Sequence, residues 1–171
     1  MKDYLAAVEL EERRMKDNPR VFLNGSFCEQ PPLGLIKSIE LAGCYIVDDD
    51  YIMANRMITT DIATEGDPLE NIAYAFLTDS MPFPSKFEPS EEEKGLYLAD
   101  YVRKAGAEGV IFAAASFCDP ALLDQPLLHH VLDDQKIPYI AFQFAENSGQ
   151  MQPIREQAGT FADSIKLWSA A

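Results

Sequence analysis

The chain has 171 residues, 47% of them hydrophobic, which predicts one domain with a substantial core. Its formal net charge of −14 argues against nucleic acid and anionic membranes as partners. No apolar run reaches the length of a membrane span, no signal peptide is recognised, and three cysteines are an odd count for a disulfide framework. These features favour a cytoplasmic protein whose thiols stay reduced or bind metal.

A polar helix is predicted at the start of the chain, within residues 1–18. It has a thin apolar stripe of Tyr4, Leu5, Val8 and Met15, and Pro19 follows its end. A helix with so little to bury is expected to connect to a neighbouring domain or chain. Residues 19–171 are predicted to form the domain itself.

Strands and helices alternate along this domain. Strands are predicted at residues 20–24, 44–48, 109–115 and 137–143, and helices at about 32–42, 67–77, 90–105, 126–135 and from 150 onward. Repeated strand–helix units predict an α/β fold with a parallel sheet and helices on both faces. Four strands suit the flavodoxin-like order 2-1-3-4, in which the switch point lies between the first and third strands.

Apolar residues at helical spacing predict which helix faces are buried. The helix that opens at Asp67 and Pro68 is expected to bury Leu69, Ile72, Ala73, Phe76 and Leu77. The terminal helix is expected to bury Met151, Ile154, Ala158, Phe161, Ile165 and Trp168.

Two cysteines occur in similar four-residue motifs, the cysteine motifs. Each motif follows one of the two strands at the switch point. Ser-Phe-Cys-Glu ends at Glu29 and contains Cys28, whereas Ser-Phe-Cys-Asp ends at Asp119 and contains Cys118. Both cysteines are therefore predicted at the carboxyl edge of the sheet, where open α/β sheets hold their sites. Cys44 begins a strand and is expected at the opposite edge, as a structural thiol.

Residue spacing alone leaves the chemistry of these loops open. The cysteines could bind metal or an iron–sulfur cluster, or they could be inert core residues. A nucleophilic pair with His129 or His130 is less favoured, because adjacent helical residues point in different directions. The run Asp48–Asp50 fits either a metal site or a turn. The first loop lacks a phosphate-binding composition, which argues against flavin mononucleotide.

Several segments resemble the carboxyl-terminal domain of the benzoyl-CoA reductase and 2-hydroxyacyl-CoA dehydratase family. They are Phe-Cys-Asp-Pro at 117–120, Asp-Gln-Pro at 124–126, Lys-Ile-Pro at 136–138 and the ending at 150–164. The segment at residues 26–34 is more similar to the benzoyl-CoA reductase branch than to the dehydratases. The resemblance covers roughly residues 20–168.

The resemblance implies two flavodoxin-like domains per subunit, with a [4Fe-4S] cluster between them beside the acyl-CoA. Carried over to this chain, it implies that Cys118 is a cluster ligand and Cys28 a second candidate. At 171 residues the sequence is expected to be too short to include the family's amino-terminal domain, and the isolated domain is expected to be inactive.

The function expected from the resemblance is ATP-dependent, ferredoxin-linked reduction of benzoyl-CoA, with the chain helping to hold the cluster beside its substrate. The expected partners are the acyl-CoA, ferredoxin and other subunits, including those that hydrolyse ATP. Arg155, early in the terminal helix, is a candidate for binding an anionic group of CoA. The alternatives are a 2-hydroxyacyl-CoA dehydratase component, which is a lyase, and a non-catalytic flavodoxin-like interaction module.

Overall fold

The computed structural model describes residues 2–12, 16–25, 31–51, 60–79, 91–145 and 151–169. This part of the chain contains six helices and four strands. The strands are β1 (Arg20–Gly25), β2 (Tyr45–Asp49), β3 (Gly109–Ala115) and β4 (Tyr139–Phe144). The helices are α1 (Lys2–Glu9), α2 (Leu33–Leu41), α3 (Pro68–Thr78), α4 (Glu91–Lys104), α5 (Asp119–Asp134) and α6 (Met151–Ser169).

The four strands form one parallel sheet in the order β2-β1-β3-β4. This confirms the predicted fold class and strand order. Central β1 and β3 are buried along almost their whole length, as their continuous apolar sequences require. Val21 pairs with Gly109 and Gly25 with Ala113, so the two central strands run in step to the carboxyl edge.

Alternation of side chains along the central strands builds a core on each face of the sheet. On one face, Val21, Leu23 and Ile111 belong to a buried cluster with residues of α2 and α6. On the other face, Phe22 and Phe112 belong to a cluster with residues of α4 and α5. Helices therefore cover both faces, as the alternating pattern predicts.

Two helix boundaries differ from the sequence predictions. The first helix ends at Glu9, well before the end of the predicted range 1–18, and none of its residues is buried. A short helix gains most of its stability from packing, and α1 has little of it. The predicted helix at 126–135 begins instead at Asp119, because Pro120 occupies its first turn and Pro126 is accommodated inside it.

Helix α3 begins as predicted but does not bury the predicted face. The Asp67 side chain accepts hydrogen bonds from the backbone N–H of Leu69 and Glu70 at 2.8 and 3.2 Å, which confirms the cap. Leu69 and Leu77, however, are 78% and 63% exposed. The apolar residues do recur at helical spacing, but among the described residues few pack against the face of α3 that carries Leu69 and Leu77.

Helix α6 follows its predicted stripe until the last turn. Ile154, Ala158, Phe161 and Ile165 are buried, whereas Trp168 is 82% exposed. Met15 and Ser90, which belong to two of the predicted helices, lie outside the described residues. No helix in the described ranges is long and apolar enough to cross a membrane.

Candidate functional site at the carboxyl edge of the sheet

The carboxyl ends of β1 and β3 lie side by side at one edge of the sheet, because the two strands are parallel neighbours. The chain segments that follow them therefore leave the sheet from adjacent positions. Cys118 lies on the second of these segments, between β3 and α5. Cys28 follows β1 in sequence but lies outside the described residues.

Cys118 occupies the position immediately before the first turn of α5. Its backbone N–H donates to the carbonyl oxygen of Ala115 at 3.0 Å, and its carbonyl oxygen accepts from the N–H of Leu122 at 3.1 Å. Its side chain is 6% exposed and belongs to the core layer beneath α2 and α6. Cys118 thus lies in the segment that joins the end of β3 to the start of α5 at the carboxyl edge of the sheet.

Phe117, the residue before Cys118, has an unusual backbone conformation and an unusual exposure. Its φ angle is 67°, in the left-handed region that a bulky side chain rarely adopts. Its ring is 94% exposed although the residues on either side of it are more buried. The turn between β3 and α5 therefore directs an aromatic ring away from the core at the edge that carries Cys118.

Asp50 forms a buried polar network at the same edge, just after β2. Its carboxyl group is fully buried and accepts hydrogen bonds from the described residues Asn24, Gly25 and Tyr97. Oδ1 accepts from the backbone N–H of Gly25 at 2.9 Å, while Oδ2 accepts from Nδ2 of Asn24 at 2.5 Å and the hydroxyl of Tyr97 at 3.1 Å. Asp50 therefore links the ends of β1 and β2 to helix α4.

Tyr51 extends this network to β3. Its side chain is 1% exposed, and its hydroxyl donates to the carbonyl oxygen of Ala113 at 3.1 Å. The ring lies so close to Gly25 that a Cβ atom placed there would be 1.9 Å from the ring carbon Cε1. Gly25 is thus required by the close approach of the Tyr51 ring.

The sequence leaves Asp48–Asp50 as either a metal site or a turn, and the structure favours a structural role. Asp50 is held in the buried polar network. The Asp49 side chain accepts from the N–H of Tyr51 at 3.0 Å, and burial raises the pKa of Asp49 above its ordinary value. No group of three or more His, Cys, Asp or Glu side chains suited to a metal ion occurs in the described segments.

The other residues singled out from the sequence lie apart from Cys118. Cys44 precedes β2 at the opposite edge of the sheet, and burial raises the pKa of its thiol to about 11. His130 is exposed and lies 3.7 Å from Asp134, whereas the ring of His129 stacks on Tyr139 at 4.3 Å. Neither histidine contact involves Cys118.

Arg155 is exposed in the second turn of α6. Since α6 follows β4, this turn lies towards the carboxyl edge of the sheet. A surface cleft of about 510 Å³ lies between β4, α5 and the start of α6, but Arg155 is not among its lining residues. It is lined by Gln125, Ala141, Phe142, Gln143, Pro153, Ile154 and Gln157.

Sequence reasoning missed the network of Asn24, Asp50, Tyr51 and Tyr97. The hydrogen bonds from Asp50 reach residues 26 and 47 positions away, and no local pattern indicates such pairings. The available signal was the polar Asn-Gly pair at the end of an otherwise apolar strand. A buried asparagine there requires a polar partner from another segment.

Residues 1–165 match a family model described as 2-hydroxyglutaryl-CoA dehydratase, D-component. The chain is also 62% identical, over 169 residues, to a benzoyl-CoA reductase subunit of Thauera aromatica, covering 99% of this chain and 44% of that protein. It is 26% identical over 156 residues to (R)-2-hydroxyglutaryl-CoA dehydratase subunit beta of Acidaminococcus fermentans, covering 87% and 39%.

A further relative is lactoyl-CoA dehydratase subunit beta of Anaerotignum propionicum, 22% identical over 167 residues, which are 96% of this chain and 43% of that protein. The chain thus spans less than half the length of the curated relatives it matches.

Proposed function

Since the chain belongs to the family described as 2-hydroxyglutaryl-CoA dehydratase, D-component, we propose that it acts as part of a benzoyl-CoA reductase subunit. The observation that carries this proposal is the 62% identity to the Thauera aromatica benzoyl-CoA reductase subunit, which extends over nearly the whole chain. Its identity to the two dehydratase subunits is far lower, at 22% and 26%. The reductase is therefore favoured over the lyase, and either is favoured over a non-catalytic module.

In this role the chain helps to hold a [4Fe-4S] cluster beside an acyl-CoA. The thiols present fit a site shared with other segments because, of the two described cysteines, Cys118 alone lies at this edge of the sheet, at the start of α5. Cys28 is the second candidate ligand. A cluster of this type supplies single electrons at low potential when it is bound. Further ligands must come from beyond these two cysteines, since an ordinary cluster has four.

The burial of Cys118 sets a condition on this assignment. With 6% of its side chain exposed, the sulfur must turn outward, or its neighbours must move, before it can bond to iron. Phe117 then lies at the rim beside the ligand and can shield it from water. A less hydrated environment is one way in which proteins adjust the potential of a cluster.

Arg155 is proposed to bind an anionic group of the CoA. It is exposed in the second turn of α6, near the carboxyl edge of the sheet. The remaining partners proposed are ferredoxin and ATP-hydrolysing subunits, in a cytoplasmic assembly.

The test is substrate turnover by the protein at its full natural length, assembled anaerobically with its partner subunits. We expect benzoyl-CoA to be reduced only when both ATP and a low-potential electron donor are present. Release of water from a 2-hydroxyacyl-CoA, with no reduction of benzoyl-CoA, would instead identify a lyase. Failure to turn over either substrate would contradict the enzymatic proposal and leave the interaction module.

Binding of CoA to Arg155 is tested separately. Arg155→Gln should raise KM for the acyl-CoA by about tenfold, the value of one charge-assisted contact, and leave kcat within about twofold. Lys166→Gln, near the other end of α6, is the matched control. Equal effects of the two substitutions would contradict the role of Arg155.

A further inference from the structure

We propose that Asp50 is a positioning residue for the cysteine-bearing edge of the sheet, acting with Tyr51 as a latch across three strand ends. The effect of Asp50 on a cluster rests on the proposed function, whereas its effect on the position of Cys118 does not. The latch itself consists of five described residues: Asn24, Gly25, Asp50, Tyr51 and Tyr97.

The latch fixes the end of β1 from two directions. Asp50 accepts a hydrogen bond from the backbone N–H of Gly25 and another from the side chain of Asn24. The Tyr51 ring packs against Gly25 from the side where a Cβ atom would otherwise lie. The last residues of β1 are thereby held at the point where the chain leaves the sheet toward residue 28.

The latch also reaches the segment that carries Cys118. The Tyr51 hydroxyl binds the carbonyl oxygen of Ala113, and the Cys118 N–H binds the carbonyl oxygen of Ala115. Tyr51 and Cys118 belong to the same buried cluster. Strands β1 and β3 precede the two cysteine motifs. Movement of the latch would therefore disturb the ends of both strands together.

The chemistry of the site explains why a buried carboxyl group suits this role. Asn24 Nδ2, Gly25 N–H and the Tyr97 hydroxyl are three donors, and a carboxyl group offers enough acceptor positions for all of them. If the carboxyl group were removed, buried donors would lose their acceptor. This loss lowers the free energy of unfolding far more than the loss of one exposed hydrogen bond does. The arrangement is thus specific to an acidic residue at position 50.

The test compares the two described cysteines within one protein. In the full-length apo protein, Asp50→Asn should increase the rate of Cys118 alkylation by iodoacetamide about tenfold, through easier local opening of the edge. Cys44, at the opposite edge, should keep its rate within about twofold, as the internal control. Peptide mass spectrometry reports both thiols. Asp163→Asn, an exposed change on α6, is the matched control variant and should change neither rate.

A merely structural role predicts a different result, in which global destabilisation speeds the alkylation of Cys44 and Cys118 together. That outcome, or unchanged rates at both thiols, would overturn the proposal. Tyr97→Phe removes a single hydrogen bond and retains the ring, so it should produce a smaller increase at Cys118 alone. It keeps the test decisive if Asp50→Asn fails to fold.

Iron content separates this inference from the proposed function. After anaerobic reconstitution, Asp50→Asn should bind less iron per protein than Asp163→Asn. If the unsubstituted protein binds no iron, the cluster proposal fails, whereas the comparison of the two thiols still decides the latch.

Discussion

Cys44 and Cys118 belong to the same buried cluster of the core but lie at opposite edges of the sheet. Cys44 precedes a strand, and its sulfur lies 3.8 Å from the carbonyl oxygen of Ala158 on α6. Cys118 follows a strand and lies at the start of a helix, beside an exposed phenylalanine. Burial does not distinguish these thiols. Their positions relative to strand direction do. In the described part of the chain, the buried polar residues Asn24 and Asp50 both lie at the edge of Cys118.

The largest expected difference between the edges concerns iron. Cys118→Ala should remove most of the iron and the broad cluster absorbance from the reconstituted full-length protein, because one ligand is lost. Cys44→Ala is the matched substitution and should retain both. Iron analysis and visible absorbance measure the effect. Equal iron contents in the two variants would remove Cys118 from the ligand set.

The next effect concerns the tight packing at the carboxyl edge. Gly25→Ala should lower the free energy of unfolding by about 3 kcal/mol, because the new methyl group would overlap the Tyr51 ring. Gly34→Ala in α2 meets no atom within 4 Å and should be neutral or stabilising by about 0.5 kcal/mol. Urea unfolding of both variants tests this difference. A nearly unchanged stability for Gly25→Ala would contradict the described position of Tyr51.

The next prediction concerns the pH dependence of stability at the opposite edge of the sheet, where Cys44 lies. Burial raises the pKa of Cys44 from 9.0 to about 11, so the folded state keeps its proton where the unfolded chain has lost it. The stability contributed by this thiol is complete below pH 9.0 and is lost as the pH rises toward about 11. The loss should be about 1–2 kcal/mol.

Urea unfolding of the unsubstituted protein and of Cys44→Ala at a series of pH values isolates this contribution. The difference in unfolding free energy between the two should shrink across the stated window. A difference that is constant with pH would show that the Cys44 thiol is not shielded from water.

The smallest expected effect concerns the backbone at Phe117. Asparagine tolerates a φ angle of 67° better than phenylalanine, and the ring makes few contacts because it is 94% exposed. Phe117→Asn should therefore raise the free energy of unfolding by about 0.5 kcal/mol, while Phe117→Val should lower it by about 1 kcal/mol. Thermal unfolding measures both. Equal stabilities would argue against the left-handed conformation.

The sheet could be predicted from sequence because its signals are local. The alternation of apolar strands with helices predicts a parallel sheet, and four such strands suit the flavodoxin-like order 2-1-3-4; the structure confirms both. The family suggested by Phe-Cys-Asp-Pro and the terminal segment is confirmed by the match over residues 1–165. These features depend on residues close together in the chain.

The features that sequence did not predict depend on contacts between distant segments. The stripe on α3 has the correct period, yet period alone does not say whether another element covers it, and Leu69 is exposed. The three acids at 48–50 look alike in sequence, whereas in the structure Asp50 is fully buried and accepts hydrogen bonds from the distant residues Asn24 and Tyr97. The start of α5 at Asp119 was obscured because both Pro120 and Pro126 can mark a helix start.

The central claim is that the sulfur of Cys118 bonds to a cluster, and thiol protection tests it most directly. Iodoacetamide labelling of the full-length protein, read by mass spectrometry, compares Cys118 before reconstitution, after it, and after removal of iron by a chelator. We expect slow labelling of Cys118 in the apo protein, none in the reconstituted protein, and recovery after chelation, with Cys44 constant throughout. Labelling of Cys118 at the same rate with and without iron would contradict the account.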